Sequence, residues 1–337
     1  MPESHALVGI GLVILAGILN GLFAVPMKFM PRWKWEHTWL VYSLVGMVVF
    51  PWGVAFLSTP RLAQVISESP LALICGFGFA WGVGAVAFGL ALVRLGIGLG
   101  LALMLGLSAG VGALVPMVIL QPQSLGTRAG RFVLIGIVIL VVGIALCASA
   151  GSLREKQQTA QTVQVGRSNL FVGLLLAVAS AILGASLNFS FAFSGAVRAR
   201  AVELGASPAL SSMSVWALTV SSGFLANAAY CLLKIGREGW SLFLIPKSGL
   251  YWLGGATMGI LWFGALMVYG IGGSRLGNSA ATIGWPIILG TSIVTSNLAG
   301  WLTGEWRGTG RRCATYLVAG ISVILVSVFV ISQGSRP

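Results

Sequence analysis

Residues 79–116 read FAWGVGAVAFGLALVRLGIGLGLALMLGLSAGVGALVP, a run of apolar and small residues that one charged residue, Arg94, interrupts. A helix that crosses a membrane needs about 20 mostly apolar residues. The run is therefore long enough for two such helices joined by a very short connection. Since a backbone in lipid must satisfy its own hydrogen bonds, a long apolar run without alternation predicts helices rather than strands.

Parts of this run return in the second half of the chain. Three motifs have a counterpart there: Trp81 with Trp262, Phe88-Gly89 with Tyr269-Gly270, and Arg94-Leu95-Gly96 with Arg275-Leu276-Gly277. Each counterpart lies 181 residues later, from 81 to 262, from 88 to 269 and from 94 to 275. A repeat at one long spacing indicates an internal duplication. We therefore expect a duplicated membrane bundle whose functional centre lies between the two copies.

The composition is typical of a membrane protein with several spans. Hydrophobic residues make up 57% and charged residues 8% of the 337 residues, whereas a soluble domain usually has about 25% charged residues. The net charge of +13 comes from basic residues in short loops between apolar runs, where such residues act as topology signals. The charge therefore does not indicate nucleic-acid binding.

The chain lacks the residues that most enzymes and metal sites use. It contains no Asp, its seven acidic residues are all Glu, and its four Cys have no CxxC spacing. We expect buried free thiols rather than a metal site or a disulfide framework. Without a plausible acid–base pair, the sequence predicts neither an enzyme nor a bound cofactor.

Ten segments have the length and composition of membrane-spanning helices. They are residues 6–26, 38–58, 71–93, 97–120, 132–150, 170–195, 208–233, 250–272, 277–302 and 314–332. The longest polar stretch predicts a loop at 151–169 between a first repeat (1–150) and a second repeat (170–337). Because each repeat has an odd number of spans, the two cross the membrane in opposite directions, as an inverted-topology repeat.

The distribution of Lys and Arg predicts the orientation. One set of alternating loops carries thirteen of these residues, and the other set, which includes both termini, carries seven. Loops rich in Lys and Arg stay in the cytoplasm. We therefore expect both termini in the periplasm.

Neutral polar and aromatic side chains inside the predicted spans are the candidates for a substrate site. Polar side chains are costly to bury in lipid, and Trp within a span lies away from the interfacial belt where it usually collects. Indole rings can stack on the C–H face of a neutral polyol while amides bond its hydroxyls. The candidate substrate-binding residues, for which core packing is the alternative role, are Asn20, Trp81, Asn188, Trp216, Trp262, Asn278 and Trp285.

Coupling to protons usually requires an ionisable group within the membrane, and the predicted spans hold no clear carboxylate. Glu36 and His37, beside the start of the second predicted helix, are candidate coupling residues, together with Lys28 at the end of the first. The alternative for Glu36 is an ion pair with Lys34 or Arg32. Proton coupling, uniport and exchange all stay open.

Two further patterns concern the helices themselves. Glycines at GxxxG spacing, such as Gly78/Gly82 and Gly255/Gly259, allow two helices to approach closely in a membrane. Gly284-Trp285-Pro286 lies inside the ninth predicted helix, where proline frees a backbone carbonyl. Interrupted helices of this kind point to the binding sites of transporters.

Four motifs spread along the chain carry a family resemblance. They are Val25-Pro26-Met27-Lys28 followed by Arg32-Trp33-Lys34-Trp35-Glu36, Phe50-Pro51-Trp52-Gly53, Trp81-Gly82-Val83-Gly84, and Gly304-Glu305-Trp306. Together they resemble the L-rhamnose–proton symporter family of the drug/metabolite transporter superfamily. The resemblance implies ten helices in a five-plus-five inverted repeat, the bacterial inner membrane, and secondary transport of a rhamnose-like sugar by alternating access.

The expected partners are therefore a small sugar, protons and the lipid bilayer, with the chain as a monomer or a homodimer. Two other functions remain open from the sequence. The apolar, Trp-rich interior without Asp also suits an exporter of amphipathic or aromatic metabolites. A scaffold without catalytic activity is the third reading.

Overall fold

The computed structural model describes residues 3–158, 167–237 and 239–335, and all regular structure in these ranges is helical. The α-helices of the described ranges are α1 (Glu3–Leu22), α2 (Trp35–Leu44), α3 (Phe50–Ser58), α4 (Leu62–Ser67), α5 (Leu71–Leu120), α6 (Arg128–Gln158), α7 (Arg167–Phe193), α8 (Gly195–Glu203), α9 (Met213–Ile235), α10 (Ser248–Leu276), α11 (Trp285–Leu302) and α12 (Arg311–Ser332). Nine stretches of these residues are long and apolar enough to cross a membrane. The prediction of an all-helical membrane protein is confirmed.

Helix α5 contains both segments predicted from the opening run. It is one helical element of 50 residues, yet the chain turns back within it. A Cβ placed on Gly100 would lie 3.6 Å from the Cα of Leu92, whereas residues eight apart in a straight helix are separated by about 12 Å along the axis. The two candidate spans, which we call the first arm (Leu71–Leu92) and the second arm (Leu103–Leu120), therefore lie side by side.

Helix α7 packs between the two arms of α5. Its Gly173 lies against Leu95, where a Cβ would come within 2.9 Å of the Leu95 Cγ, and farther along α7 a Cβ on Gly84 would come within 2.8 Å of the Leu183 Cβ. The Asn188 side chain reaches the carbonyl of Gly112. A Cβ on Gly184 of α7 would lie 3.6 Å from the Ser108 hydroxyl oxygen, so from Gly184 to Asn188 the contacts on the second arm move from Ser108 to Gly112, while those on the first arm move back toward Gly84. Helix α7 therefore runs antiparallel to the first arm and parallel to the second.

Helix α1 has the same relation to α10 and α11. Gly9 lies against Gly272, since a Cβ on Gly9 would be 3.1 Å from the Gly272 carbonyl oxygen, and Gly21 lies against Thr295. Gly277, with φ +59°, ends α10. The stretch Ser248–Leu302, which is one candidate span by composition, thus contains two helices that lie in opposite directions along α1.

The GxxxG glycines allow two helix pairs to approach closely, as expected. A Cβ on Gly82 would lie 2.8 Å from the Cα of Gly223 on α9, and one on Gly259 would lie 2.7 Å from the backbone nitrogen of Gly46 beside α2. Helices α6 and α12 also pack directly, since the Ser327 hydroxyl donates to the Gly136 carbonyl at 2.8 Å.

The polar segment 151–169 differs from its prediction as a loop. Helix α6 continues to Gln158 and α7 begins at Arg167, while 159–166 fall outside the described residues. The helical extension has partners that the sequence does not reveal: Arg154 binds Glu305, and Gln157 accepts a hydrogen bond from the Gly310 backbone. The division into two repeats stays a prediction.

The connections between helices meet at two opposite ends of the bundle. At the first, which we call the Arg198 end, Arg200 pairs with Glu68 at 2.6 Å, and Gln121 donates to the carbonyl of Asn278. This end comprises the connections 59–70, 121–127, 194–207 and 277–279.

The second end, which we call the Lys28 end, comprises the connections 23–34, 236–247 and 303–310 together with the end of α6, as far as the structure describes them. Here Lys28 pairs with Glu305, Arg154 pairs with Glu305 at 2.9 Å, and the Trp33 indole donates to the Leu242 carbonyl at 2.8 Å. Loops that alternate along the sequence thus lie at opposite ends of the bundle, one set at the Arg198 end and the other at the Lys28 end. Which end faces the cytoplasm stays a prediction.

Candidate functional site

A cavity of about 230 Å³ lies between the two halves of the chain. Helices α1 and α2 and both arms of α5 line it from the first half, and α7, α10 and α11 line it from the second. The residues that line it carry no charge. We call it the central cavity, and four of the predicted substrate residues line it: Asn20, Trp81, Trp262 and Trp285.

The two tryptophans of the repeat meet directly at this cavity. The rings of Trp81 and Trp262 stack with centroids 5.4 Å apart and an angle of 18° between their planes. Trp81 also rests against Gly223, where only glycine leaves room for the ring, and Trp262 packs edge-on against Tyr42. The stack covers one face of each ring, and both indoles line the cavity.

Asn20 presents a free acceptor to the cavity. Its amide nitrogen donates to the Ser292 hydroxyl at 2.9 Å, and this hydroxyl donates in turn to the Ile288 carbonyl. Among the described residues, no donor reaches the Asn20 amide oxygen. The Ser108 hydroxyl, on the opposite wall, likewise has no partner in the described ranges. These two groups can bond the hydroxyls of a ligand.

Trp285 is held in place by the interruption of its helix. Residues Ala280–Gly284 form a π-helical turn ahead of Trp285-Pro286, because the proline has no N–H to continue the α-helical pattern. The indole of Trp285 donates to the Ser108 carbonyl at 3.1 Å. This bond ties α11 to the second arm of α5 across the cavity wall.

Asn188 lies behind the cavity wall rather than on it. Its amide nitrogen donates to the carbonyls of Gly112 at 2.8 Å and Ala281 at 3.1 Å, and its oxygen accepts from the Tyr269 hydroxyl at 2.8 Å. The side chain is fully buried. Asn188 therefore links α7, α5, α10 and the π-helical turn and has no donor left for a substrate.

The other two predicted substrate residues lie apart. Trp216 is fully buried and stacks on Phe191, with centroids 5.3 Å apart and an angle of 6°. Asn278 lines a separate cavity of about 520 Å³ at the Arg198 end, which we call the Arg198 cavity. Arg198 lines it too, lying over the Phe191 ring at 4.4 Å, and burial lowers the pKa of its guanidinium.

A third cavity, of about 480 Å³, lies at the Lys28 end, and we call it the Lys28 cavity. Leu105 lines both this cavity and the central one. The central and Arg198 cavities have no lining residue in common. Of the two other cavities, the Lys28 cavity is therefore the one that adjoins the central cavity.

The predicted coupling residues have different surroundings. Lys28 lines the Lys28 cavity and pairs with Glu305. His37 is 1% exposed, and its Nε2 lies 2.8 Å from the Gly239 carbonyl oxygen. Glu36 is half-buried, and the predicted alternative pairing with Lys34 or Arg32 is not found among the described ion pairs.

Comparison with known proteins gives one consistent result. Residues 4–336 match the family of the L-rhamnose-proton symport protein. The chain belongs to this family. Curated relatives named L-rhamnose-proton symporter include those of Escherichia coli O17:K52:H18 (strain UMN026 / ExPEC), Escherichia coli (strain SMS-3-5 / SECEC) and Shigella flexneri, each 25% identical over 323 residues. The matches cover 93% of this chain and 93% of each relative.

Membership of the L-rhamnose-proton symport protein family shows to which broad class of proteins this chain belongs. The family consists of transporters rather than enzymes, and together with the apolar helices it indicates a multi-pass protein of the inner membrane. The expectation that the chain is not an enzyme is confirmed on this ground.

Glu305, in the motif Gly304-Glu305-Trp306, is a residue whose surroundings the sequence reasoning missed. Its carboxylate binds both Lys28 and Arg154. Burial acts to raise its pKa, but the hydrogen bonds from Lys28 and Arg154 outweigh this effect and hold the pKa below its usual value. The sequence did contain a signal, since Glu305 is an acidic residue in a short connection between two apolar segments.

Proposed function

We propose that the protein is a symporter that carries a small neutral sugar of the deoxyhexose class, with L-rhamnose as the leading candidate, together with protons. The central cavity is the proposed substrate site. The observation that carries the proposal is its lining: it has no charge, two free polar groups and a border of indole rings. Such a cavity suits hydroxyls and a methyl group better than it suits a charged metabolite.

The proposed sites of contact follow from the free groups. The Asn20 amide oxygen and the Ser108 hydroxyl bond sugar hydroxyls, while Trp81, Trp262 and Trp285 border the apolar C–H and methyl groups. Names and coverage of the relatives support sugar transport over the two alternatives, an exporter of amphipathic metabolites and a scaffold.

The finer architecture is part of the same proposal. Ten spans in two inverted repeats, 1–150 and 170–337, are supported by the matching relations of α1 to α10 and α11 and of α7 to the two arms of α5. The resemblance to the drug/metabolite transporter superfamily implies the same arrangement. We place both termini in the periplasm, from the loop charges, and expect a monomer or a homodimer.

Thermal stabilisation of the purified protein in detergent tests the substrate class. A ligand that binds only the folded state stabilises it by RT ln(1 + L/Kd) at free ligand concentration L, so the melting temperature rises with the ligand concentration relative to its Kd. We expect a rise with L-rhamnose and a smaller or no rise with a charged sugar such as a hexuronate. Stabilisation by hexuronates or aromatic amines, without any response to neutral sugars, would contradict the proposal.

A further inference from the structure

The Lys28 cavity contains a carboxylate that the sequence reasoning did not assign to transport. Of the acidic side chains that the structure describes, Glu305 lines this cavity, and none lines the central or the Arg198 cavity. Glu36, Glu68 and Glu203 lie outside all three. A symporter in a membrane needs an ionisable group that both compartments can reach in turn. Glu305 is the described carboxylate that lines a cavity adjoining the central one.

Glu305 joins three separate segments of the bundle. It lies in the connection between α11 and α12, while Lys28 follows α1 and Arg154 lies near the end of α6. The side chains of Lys28, Arg154 and Glu305 are 33%, 21% and 38% exposed. A rearrangement that closes this cavity moves the segments relative to one another, so it changes the partners of the carboxylate.

The groups that face Glu305 determine when it holds a proton. Lys28 faces it from the segment after α1, and Arg154 and Cys147 line the same cavity from α6. Arg307 lies on Glu305's own connection, close to Gly304. On α12, the Cys313 thiol is bonded to the Ala150 carbonyl.

The charges favour release of a proton in this arrangement. Two cations bind one carboxylate, and the pKa of Glu305 lies below its usual value. If Lys28 and Arg154 move away, the same carboxylate is left in a cavity with many apolar side chains, where the neutral form is favoured. The carboxylate is therefore ionised in the arrangement that the structure shows, in which Lys28 and Arg154 both bind it.

We propose that Glu305 is the proton-binding carboxylate of the transport cycle and that Lys28 and Arg154 displace its proton when the cavity faces the Lys28 end. This inference rests on the proposed sugar–proton symport. With the predicted orientation, the proton is released into the cytoplasm, which is the direction that an inward proton gradient drives. Only a proton is bound and released, and no covalent bond to the sugar forms.

The test uses the full chain in proteoliposomes, with L-rhamnose as the probe. Two quantities are measured: sugar accumulation driven by a pH gradient, and counterflow, in which labelled sugar exchanges against unlabelled sugar without a gradient. For Glu305→Gln we expect loss of pH-driven accumulation with counterflow retained. Glu203→Gln is the matched control, because this acid is exposed at the other end, and it is expected to behave as the wild type.

The outcomes separate this inference from the proposed function. If Glu305→Gln accumulates sugar in response to a pH gradient as the wild type does, or if Glu36→Gln rather than Glu305→Gln abolishes accumulation, the inference is overturned. If the wild type shows neither counterflow nor sugar-induced proton movement, the proposed function itself fails.

A second variant keeps the test decisive if Glu305→Gln does not fold. Lys28→Met removes one cation and leaves the carboxylate, so the pKa of Glu305 rises. We expect the pH profile of rhamnose uptake to move to higher pH. An unchanged profile in a folded Lys28→Met protein contradicts the role of Glu305, because a merely structural ion pair does not move a pH profile.

Discussion

Asn20 and Asn188 show how two residues of one type, both predicted to bind substrate, differ in their surroundings. Asn20 keeps a free amide oxygen at the central cavity, whereas Asn188 uses both donors and accepts from Tyr269. A span containing Asn is easily recognised in sequence. Whether the amide faces a cavity or a set of carbonyls depends on segments far away in the chain, such as Ala281 for Asn188.

Replacement of Asn20 is expected to affect mainly sugar binding, and replacement of Asn188 mainly the stability of the fold. Asn20→Ala weakens sugar binding, by about 1 kcal/mol for a lost hydrogen bond, and lowers the melting temperature of the ligand-free protein less than Asn188→Ala does, because it removes only the bond to the Ser292 hydroxyl. Asn188→Ala leaves buried carbonyls and the Tyr269 hydroxyl without partners and destabilises the fold by about 1–3 kcal/mol. Thermal melts with and without L-rhamnose distinguish the two. Equal destabilisation by both variants would contradict the assignment.

The element scale shows why glycine spacing matters in this bundle. Gly259 on α10 meets the backbone of Gly46, and a Cβ there would lie 2.7 Å from the Gly46 nitrogen. Gly264, on the same helix, has no atom within 4 Å of the position its Cβ would occupy. The sequence identifies both as helix glycines, and only the packing separates them.

This contrast gives a matched pair of variants. Gly259→Ala forces α10 away from the segment after α2, at a cost of about 1–3 kcal/mol, typical of overpacking. Gly264→Ala is expected to be neutral or slightly stabilising, because alanine favours helix over glycine. Melting temperatures in detergent measure both. A neutral Gly259→Ala would show that the helices do not pack as described.

The connection at Glu305 predicts a dependence of stability on pH. Because the folded-state pKa of Glu305 is lowered from 4.5, its stabilising effect is present above pH 4.5 and is lost as the pH falls through the folded-state pKa. The pairs are partly exposed, so the effect is small, about 1 kcal/mol or less. Wild type and Glu305→Gln should therefore differ at pH 7 and converge as the pH falls below the folded-state pKa of Glu305. A difference that grows on acidification would contradict the sign.

At the scale of the whole molecule, the repeat was the most informative part of the sequence. The spacing of 181 residues led to a pair of tryptophans at the interface of the halves, and Trp81 and Trp262 stack there. Hydropathy located the long apolar helices, because they carry a strong signal. The described residues hold nine candidate spans, and the number of ten stays a prediction.

Other features depend on contacts that no local pattern encodes. The Gly-rich sequence around residue 96 does not reveal that the chain reverses its direction within α5, which is a single helical element. The cluster of Lys28, Arg154 and Glu305 combines residues more than 100 positions apart. The sequence made Lys28 a candidate coupling residue but did not connect it with Arg154 or Glu305.

The orientation of the bundle is a prediction for the whole molecule. Loops at the Lys28 end carry most of the Lys and Arg residues, so this end is expected in the cytoplasm. A periplasm-active reporter fused after Pro337 should be active, and a cytoplasm-active reporter should not. The reverse pattern would invert the bundle and, with it, the direction in which Glu305 releases its proton.

The central claim is that this chain moves a neutral deoxysugar together with protons through the central cavity. The most direct measurement is the internal pH of wild-type proteoliposomes after L-rhamnose is added outside. The account predicts acidification of the lumen that depends on the sugar and is lost when an ionophore collapses the proton gradient. No change in internal pH with L-rhamnose or any related neutral sugar, from protein that is folded and inserted, would contradict it.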